Sequence, residues 1–153
     1  MAGSLKKTAP ANVYLDTAYI VKYYLNEPKS TAVRALIKDA SVVYSSLWAL
    51  AEVQCVFHRQ MREGAITANA AIDLARLFLE HAAERLWNFI PVSEALLRRA
   101  GTSVISAPPG LFLRTADAVH LTTAKDLGER EVWTSDRHML SAAPQFGLIG
   151  RSV

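Results

Sequence analysis

Short apolar, β-branched runs alternate with amphipathic helical stretches along the whole chain, and this alternation restricts the fold more than any other feature. Asn12–Val13–Tyr14–Leu15 reads as a first strand, with a helix following to about Leu25. "NEPKS" is a turn, after which Ser30 is expected to cap "TAVRALIKDA", with Val33, Leu36 and Ile37 on one face. "SVVYSS" reads as a second strand ending in capping serines, and "LWALAEVQCVFHRQMREG" as a long helix stopped by Gly64. Thr67 opens the helix "ANAAIDLARLFLEHAAERL". "WNFIP" is a third strand, and Ser93 caps "EALLRRAGTSVI". Two adjacent prolines and a glycine make "SAPPGLFL" a loop. "RTADAVHLTTAKDLG" is a helix, "EVWTSD" a fourth strand, "RHMLSAAPQ" a short helix and "FGLIG" a last strand. Strands separated by helices predict an α/β fold: a three-layer α/β/α sandwich around a mostly parallel sheet of four to five strands. Right-handed crossovers then bring the carboxyl ends of the strands to one edge.

The 153 residues suit a single domain over 1–153, with residues 1–11 expected to be a disordered or tag-like N-terminus. No apolar run reaches the ~20 residues that cross a bilayer, so no membrane partner is expected. Lys6 and Lys7 are followed by no apolar segment, which argues against a signal peptide. Cys55 is the only cysteine, which excludes an internal disulfide and a cysteine-based zinc cage. A cytoplasmic location is the reading that follows. A surplus of three positive charges permits a polyanionic partner without requiring one.

Ligands of open α/β sheets bind outside the carboxyl ends of the strands, and four acids fall there. Asp16 ends the first strand, Glu52 lies early in the helix after the second, and Asp136 ends the fourth in "WTSD". Asp117 opens the helix "RTADAVHL". Singly, Asp16 and Asp136 read as helix caps, and Asp117 as an acid favoured by a helix dipole. Glu52 resists such a reading. It is the only acid between Ala40 and Arg62, it is flanked by apolar residues, and no Lys or Arg lies three or four positions away. A carboxylate in a mostly buried helix needs a partner, which must come from elsewhere in the fold.

Four acids at one edge repel one another unless a cation joins them. Mg²⁺ or Mn²⁺ accepts oxygen ligands, keeps several waters and commonly bridges carboxylates to substrate phosphates. It lowers the pKa of a water and neutralises charge on phosphate oxygens. The chemistry implied is metal-dependent hydrolysis of a phosphodiester.

"VYLDTAYIVKYYLNEP", "VVYSSLWALAEV", "LRTADAVHLTTA" and "VWTSDRHML" together resemble the motifs of PIN-domain ribonucleases, within them the VapC-type toxins of toxin–antitoxin pairs. The four motifs stand in the family's order and span residues 12–149. The resemblance implies a PIN-like fold and an Mg²⁺- or Mn²⁺-dependent endoribonuclease. It makes Asp16, Glu52, Asp117 and Asp136 the acids around the metal, with Thr134 supporting the fourth acid or the metal's water. It also implies an RNA substrate such as tRNA or rRNA, a homodimer, and a cognate antitoxin whose tail presents an arginine to the acids. Two positions depart from the pattern: Ala18 stands where a serine is frequent, with Thr17 able to supply the hydroxyl, and Tyr19 replaces a smaller residue.

Core packing is the expectation for Tyr19, and a structural role for His120, either bonding Asp117 or lying at the core edge. Arg59, Arg62, Arg114, Lys125 and Arg137 adjoin the proposed edge as phosphate contacts or as solvated faces. Trp48, Trp87 and Trp133 are expected in the core or at a dimer interface, and Pro108–Pro109–Gly110 as a plain connector. The helices around "YIVKYYL" and "LWALAEVQCVF" carry more apolar surface than one sheet covers, which a dimer partner or an antitoxin helix would take up. Three alternatives remain open at this point. They are a housekeeping PIN nuclease, a receiver-like phosphoacceptor (for which "VWTSD" and "FGLIG" lack the needed lysine), and a non-catalytic RNA- or partner-binding module that keeps the acids as caps.

Overall fold

The computed structural model describes residues 11–153, so the expectation for residues 1–11 lies outside it except at Ala11, whose carbonyl accepts from Ser41 N at 3.1 Å. Five strands form, β1 (Val13–Tyr14), β2 (Val43–Ser46), β3 (Asn88–Ile90), β4 (Glu131–Trp133) and β5 (Ile149–Arg151). Seven α-helices separate them: α1 (Thr17–Tyr24), α2 (Ser30–Asp39), α3 (Ala49–Arg62), α4 (Ala68–Ala83), α5 (Glu94–Ile105), α6 (Thr115–Leu127) and α7 (Arg137–Ala142). A 3₁₀ turn, Ala143–Phe146, follows α7.

Every strand pairing is parallel. Val13 pairs with Val43, Tyr44 with Asn88, and Glu131 with Ile149. A single bridge, Leu15 to Trp133, joins the three-stranded and two-stranded parts, with Asp16 N donating to Trp133 O at 3.2 Å. The spatial order is therefore β3-β2-β1-β4-β5. Alternate residues of β1 face opposite layers. Val13 and Leu15 pack with Ile20, Val33, Val53, Phe57 and Phe78 of α1–α4. Tyr14 packs with Leu96, Val119, Leu121 and Met139 of α5–α7. Two cores, one on each face, make the α/β/α sandwich that the alternation predicts. Leu15 is fully buried, so its truncation to alanine costs ~2–5 kcal/mol.

The helix boundaries follow local chemistry. Thr67 and Ser93 accept from Ala70 N and Leu96 N, and Gly64 and Gly128 follow α3 and α6 at φ of 76° and 84°. Ser30 is a correction. It is the first helical residue, not the cap, because its hydroxyl donates to Leu25 O at 2.8 Å and accepts from Glu27 N at 2.9 Å. Lys29 takes the cap position in a left-handed conformation. Among the described residues no helix is long and apolar enough to cross a membrane.

The chain builds outward from β1 to β3, then returns past β1 to lay down β4 and β5. The reversal falls between β1 and β4, the switch point at which such sheets open a crevice at their carboxyl edge.

Candidate functional site

That crevice is a cavity of about 350 Å³ whose lining includes Asp16, Thr17, Glu52, Arg59, Arg114, Asp117, His120 and Asp136. All four predicted acids are brought together, one each from the end of β1, the start of α3, the first turn of α6 and the end of the β4 segment.

Asp16 leaves β1 in extended conformation and caps α1, its Oδ1 accepting from Tyr19 N at 3.0 Å. Its other oxygen accepts from the Thr134 hydroxyl. Thr134 is fully buried behind Asp16 and also accepts from Asp136 N at 2.9 Å, so one threonine ties the first acid to the backbone of the fourth. Asp16 is only 4% exposed, and burial pushes its carboxyl up to about 6 against the opposing pull of the Thr134 bond and nearby His120.

Asp136 caps α7, accepting from His138 N at 2.7 Å. Burial raises its carboxyl, but the His138 N–H and the Arg114 charge outweigh that and hold it below the ordinary value. Asp117 sits in the first turn of α6. Its Oδ2 accepts from Arg114 N at 3.2 Å and Nε at 2.9 Å, and its Oδ1 from Nη2 at 3.2 Å. The same Nη2 contacts Asp136. The capping readings of Asp16 and Asp136 and the first-turn reading of Asp117 therefore hold alongside their convergence.

Glu52 finds its partners outside its own helix. Thr17 Oγ1 donates to Glu52 Oε1 at 2.8 Å, and His120 Nε2 lies 2.9 Å from the same oxygen. His120 is buried, also touching Thr17 Oγ1 at 3.1 Å and, through Nδ1, the Tyr14 hydroxyl at 3.1 Å. The histidine thus serves Glu52, 68 residues away, and makes no hydrogen bond to Asp117. Thr17, next to Ala18, gives its hydroxyl to Glu52. Tyr19 is fully buried, and its hydroxyl accepts from Val153 N at 3.0 Å, so it belongs to the core.

The remaining expectations divide. Trp87 is buried and Trp133 packs half-buried against the first core, whereas Trp48 is 39% exposed at the start of α3. Lys125 lies in the last turn of α6, two turns beyond Asp117 and away from the edge, which removes it from the set of phosphate contacts. Arg59 lines the cavity, and both Arg59 and Arg62 line an adjoining groove. The Arg114 clamp escaped the sequence reading, although its spacing of three from Asp117 carries half of the signal.

The donor set, four carboxylates and no sulfur, suits a hard divalent ion in kind. As the side chains stand, no three acid, histidine or cysteine groups among the described residues are within reach of one ion. The Arg114 guanidinium stands between Asp117 and Asp136 instead, as the protein's own counter-cation.

The family model described as "PIN domain" matches residues 13–144. Ribonuclease VapC46 of Mycobacterium tuberculosis is 33% identical over 143 residues, covering 90% of this chain and 95% of that protein. Among solved structures, the sarcin–ricin-loop-cleaving toxin VapC20 of Mycobacterium tuberculosis superposes with a TM-score of 0.69 at 16% identity, over 85% of this chain and 94% of that one. VapBC2 of Rickettsia felis, solved on a DNA fragment from its promoter, gives 0.65 at 17% identity, over 93% and 98%. At these identities the two structures establish the fold alone.

Proposed function

The chain belongs to the PIN-domain family, and on that premise we propose that it is a divalent-metal-dependent endoribonuclease of the VapC toxin type. The observation that carries the proposal is the meeting of Asp16, Glu52, Asp117 and Asp136, from four separate elements, in one cavity at the sheet's switch point. Family membership alone would leave the activity open, because sites and not folds perform chemistry.

In this reading the four acids hold Mg²⁺ or Mn²⁺, which when bound supplies charge neutralisation and acidifies a water for attack on a phosphodiester. The chain's own groups prepare the site. Thr134 keeps Asp16 aimed and hydrogen-bonded in a buried setting, and His120 with Thr17 fixes the Glu52 carboxylate. Arg114 balances Asp117 and Asp136 until an ion does so. Arg59 faces the cavity as a phosphate contact. The substrate is a structured RNA such as tRNA or rRNA, cut where bases are unpaired. A cognate antitoxin, a homodimer and a cytoplasmic setting complete the proposal. Apolar side chains left exposed on α4 (Ile72, Leu77, Leu79) and α5 (Leu97, Val104) offer area for those partners.

One competing reading draws on a specific observation. Asp16, Asp136 and Asp117 cap or close helix starts, so a non-catalytic module would keep these three too. A receiver-like phosphoacceptor has less support, since no lysine among the described residues lines the cavity. Incubation of the purified protein with total RNA separates these readings, using Mg²⁺, Mn²⁺ or EDTA beside Asp16→Asn and Asp117→Asn. Discrete fragments that need metal and vanish in both variants support the nuclease. Cleavage that survives in both variants removes the four-acid assignment.

A further inference from the structure

We propose that Phe112, held against His138, is a stacking platform for an unpaired RNA base beside the acid cavity, an inference that rests on the nuclease reading above. Among the described residues Trp48 and, at 54%, Phe112 are the only exposed Phe, Tyr or Trp side chains. A single exposed apolar ring needs no explanation by itself. This one is held in place and has company. Leu111 and Leu113 on either side pack against the second core, and Leu111 N donates to Pro108 O at 2.9 Å. Arg114, next in the chain, is tied to Asp117 through its backbone N and its side chain. The segment is anchored before and after Phe112, so the ring is presented to solvent from a fixed backbone.

The His138 ring lies against it, with centroids 4.5 Å apart and planes at 48°. His138 stands two residues after Asp136 and donates its backbone N–H to Oδ1 of that carboxylate, while Arg114, two residues after Phe112, contacts its Oδ2. The aromatic pair is thus attached at both ends to groups that hold a proposed metal ligand. RNA-binding proteins read unpaired nucleotides by stacking bases on Phe or His rings, which tolerates any base and requires an unstacked strand. The exposed Arg137, next to His138 in the chain, adds a positive charge that favours a polyanion over an apolar protein helix, while Arg114 is already paired with Asp117 and Asp136. A nucleotide adjoining the scissile phosphate is the ligand class this arrangement takes.

The test uses full-length protein carrying Glu52→Gln, a change on α3 away from the platform, in Mg²⁺ and with the RNA checked for integrity afterwards. Affinity is measured for a single-stranded RNA oligonucleotide and for the same strand with abasic positions. Phe112→Ala is expected to weaken binding of the intact RNA roughly 5- to 150-fold, with no effect on the abasic strand. Phe112→Trp is expected to retain affinity and to add indole emission that the intact RNA quenches. Ile105→Ala, which truncates a side chain 86% exposed on α5, leaves both affinities unchanged. Equal binding of intact RNA by Phe112→Ala and its parent overturns the platform and returns the patch to a protein contact. An equal loss on both strands, or the same loss from Ile105→Ala, also overturns it. A parent that binds neither strand removes the nuclease reading along with the platform.

Discussion

Replacing Arg114 by alanine takes away the counter-cation that bridges Asp117 and Asp136, and should tighten metal binding. Three N–H groups of Arg114 bond Asp117, at 2.9, 3.2 and 3.2 Å, and one of these also contacts Asp136. The guanidinium side chain is 53% exposed, so solvent screens both pairs, and each is worth ~0.2–1 kcal/mol. Asp117 is buried, which places its pair toward the upper end. An ion that takes both carboxylates must displace about 1–2 kcal/mol of pairing, and removing that competition raises its apparent affinity about 5- to 30-fold. Titration calorimetry with Mn²⁺ reads this directly. The rise in melting temperature per added Mn²⁺ reads it a second way, because an ion that binds only the native state stabilises by mass action. Arg114→Lys keeps a charge without the fork and should fall between alanine and wild type. Metal affinity that is unchanged or weaker in Arg114→Ala would show that the guanidinium and the ion do not share these carboxylates, and would refute the competition.

Three further outcomes are expected. In EDTA the protein should lose stability as pH rises. The Asp16 carboxyl sits at about 6 against an ordinary 3.8, so the native state holds a proton that the unfolded chain has released. That contribution is complete below about pH 4 and is gone above about pH 6, a change of about 3 kcal/mol absent from Asp16→Asn when denaturant midpoints are compared from pH 4 to 7. Thr134→Val removes a hydrogen bond from that buried carboxylate, so it should push Asp16 higher still and move the loss to higher pH, with Thr134→Ser restoring it. His120→Ala strips a partner from Glu52, Thr17 and Tyr14 together and should cost ~2–4 kcal/mol by urea unfolding, with His120→Gln recovering part of it; a cost below ~1 kcal/mol would mean that water replaces the ring.

The alternation of strands and helices was legible because each element carries its own signal, as at Thr67, Ser93, Gly64 and Gly128. So was the convergence of the acids, which follows from parallel order alone. What escaped reading is tertiary. His120 lies three residues from Asp117, which suggests a local pair, yet packing of α6 on the sheet sends its ring to Glu52 and Tyr14. Ser30 looked like a cap, but the turn before it captures its hydroxyl through Leu25 O. Trp48 was expected in the core or at a dimer interface; its exposure before α3 removes the core and leaves the interface. Arg114 joins acids 19 residues apart, and only the meeting of α6 with the β4 edge makes that contact.

Among the described residues the Leu15–Trp133 bridge alone joins β1 to β4, which leaves two consecutive sheets with a seam between them. Asp16 and Glu52 belong to the part that ends at β3, and Asp117 and Asp136 to the part that begins at α5. Neither part owns a complete site. Tyr14 of β1 packs into the second core and Trp133 of β4 against the first, so parting the two sheets would break both cores and scatter the acids together, and the candidate site doubles as a reporter of docking. Fragments divided near Pro91 should be silent apart and regain the cavity only when mixed.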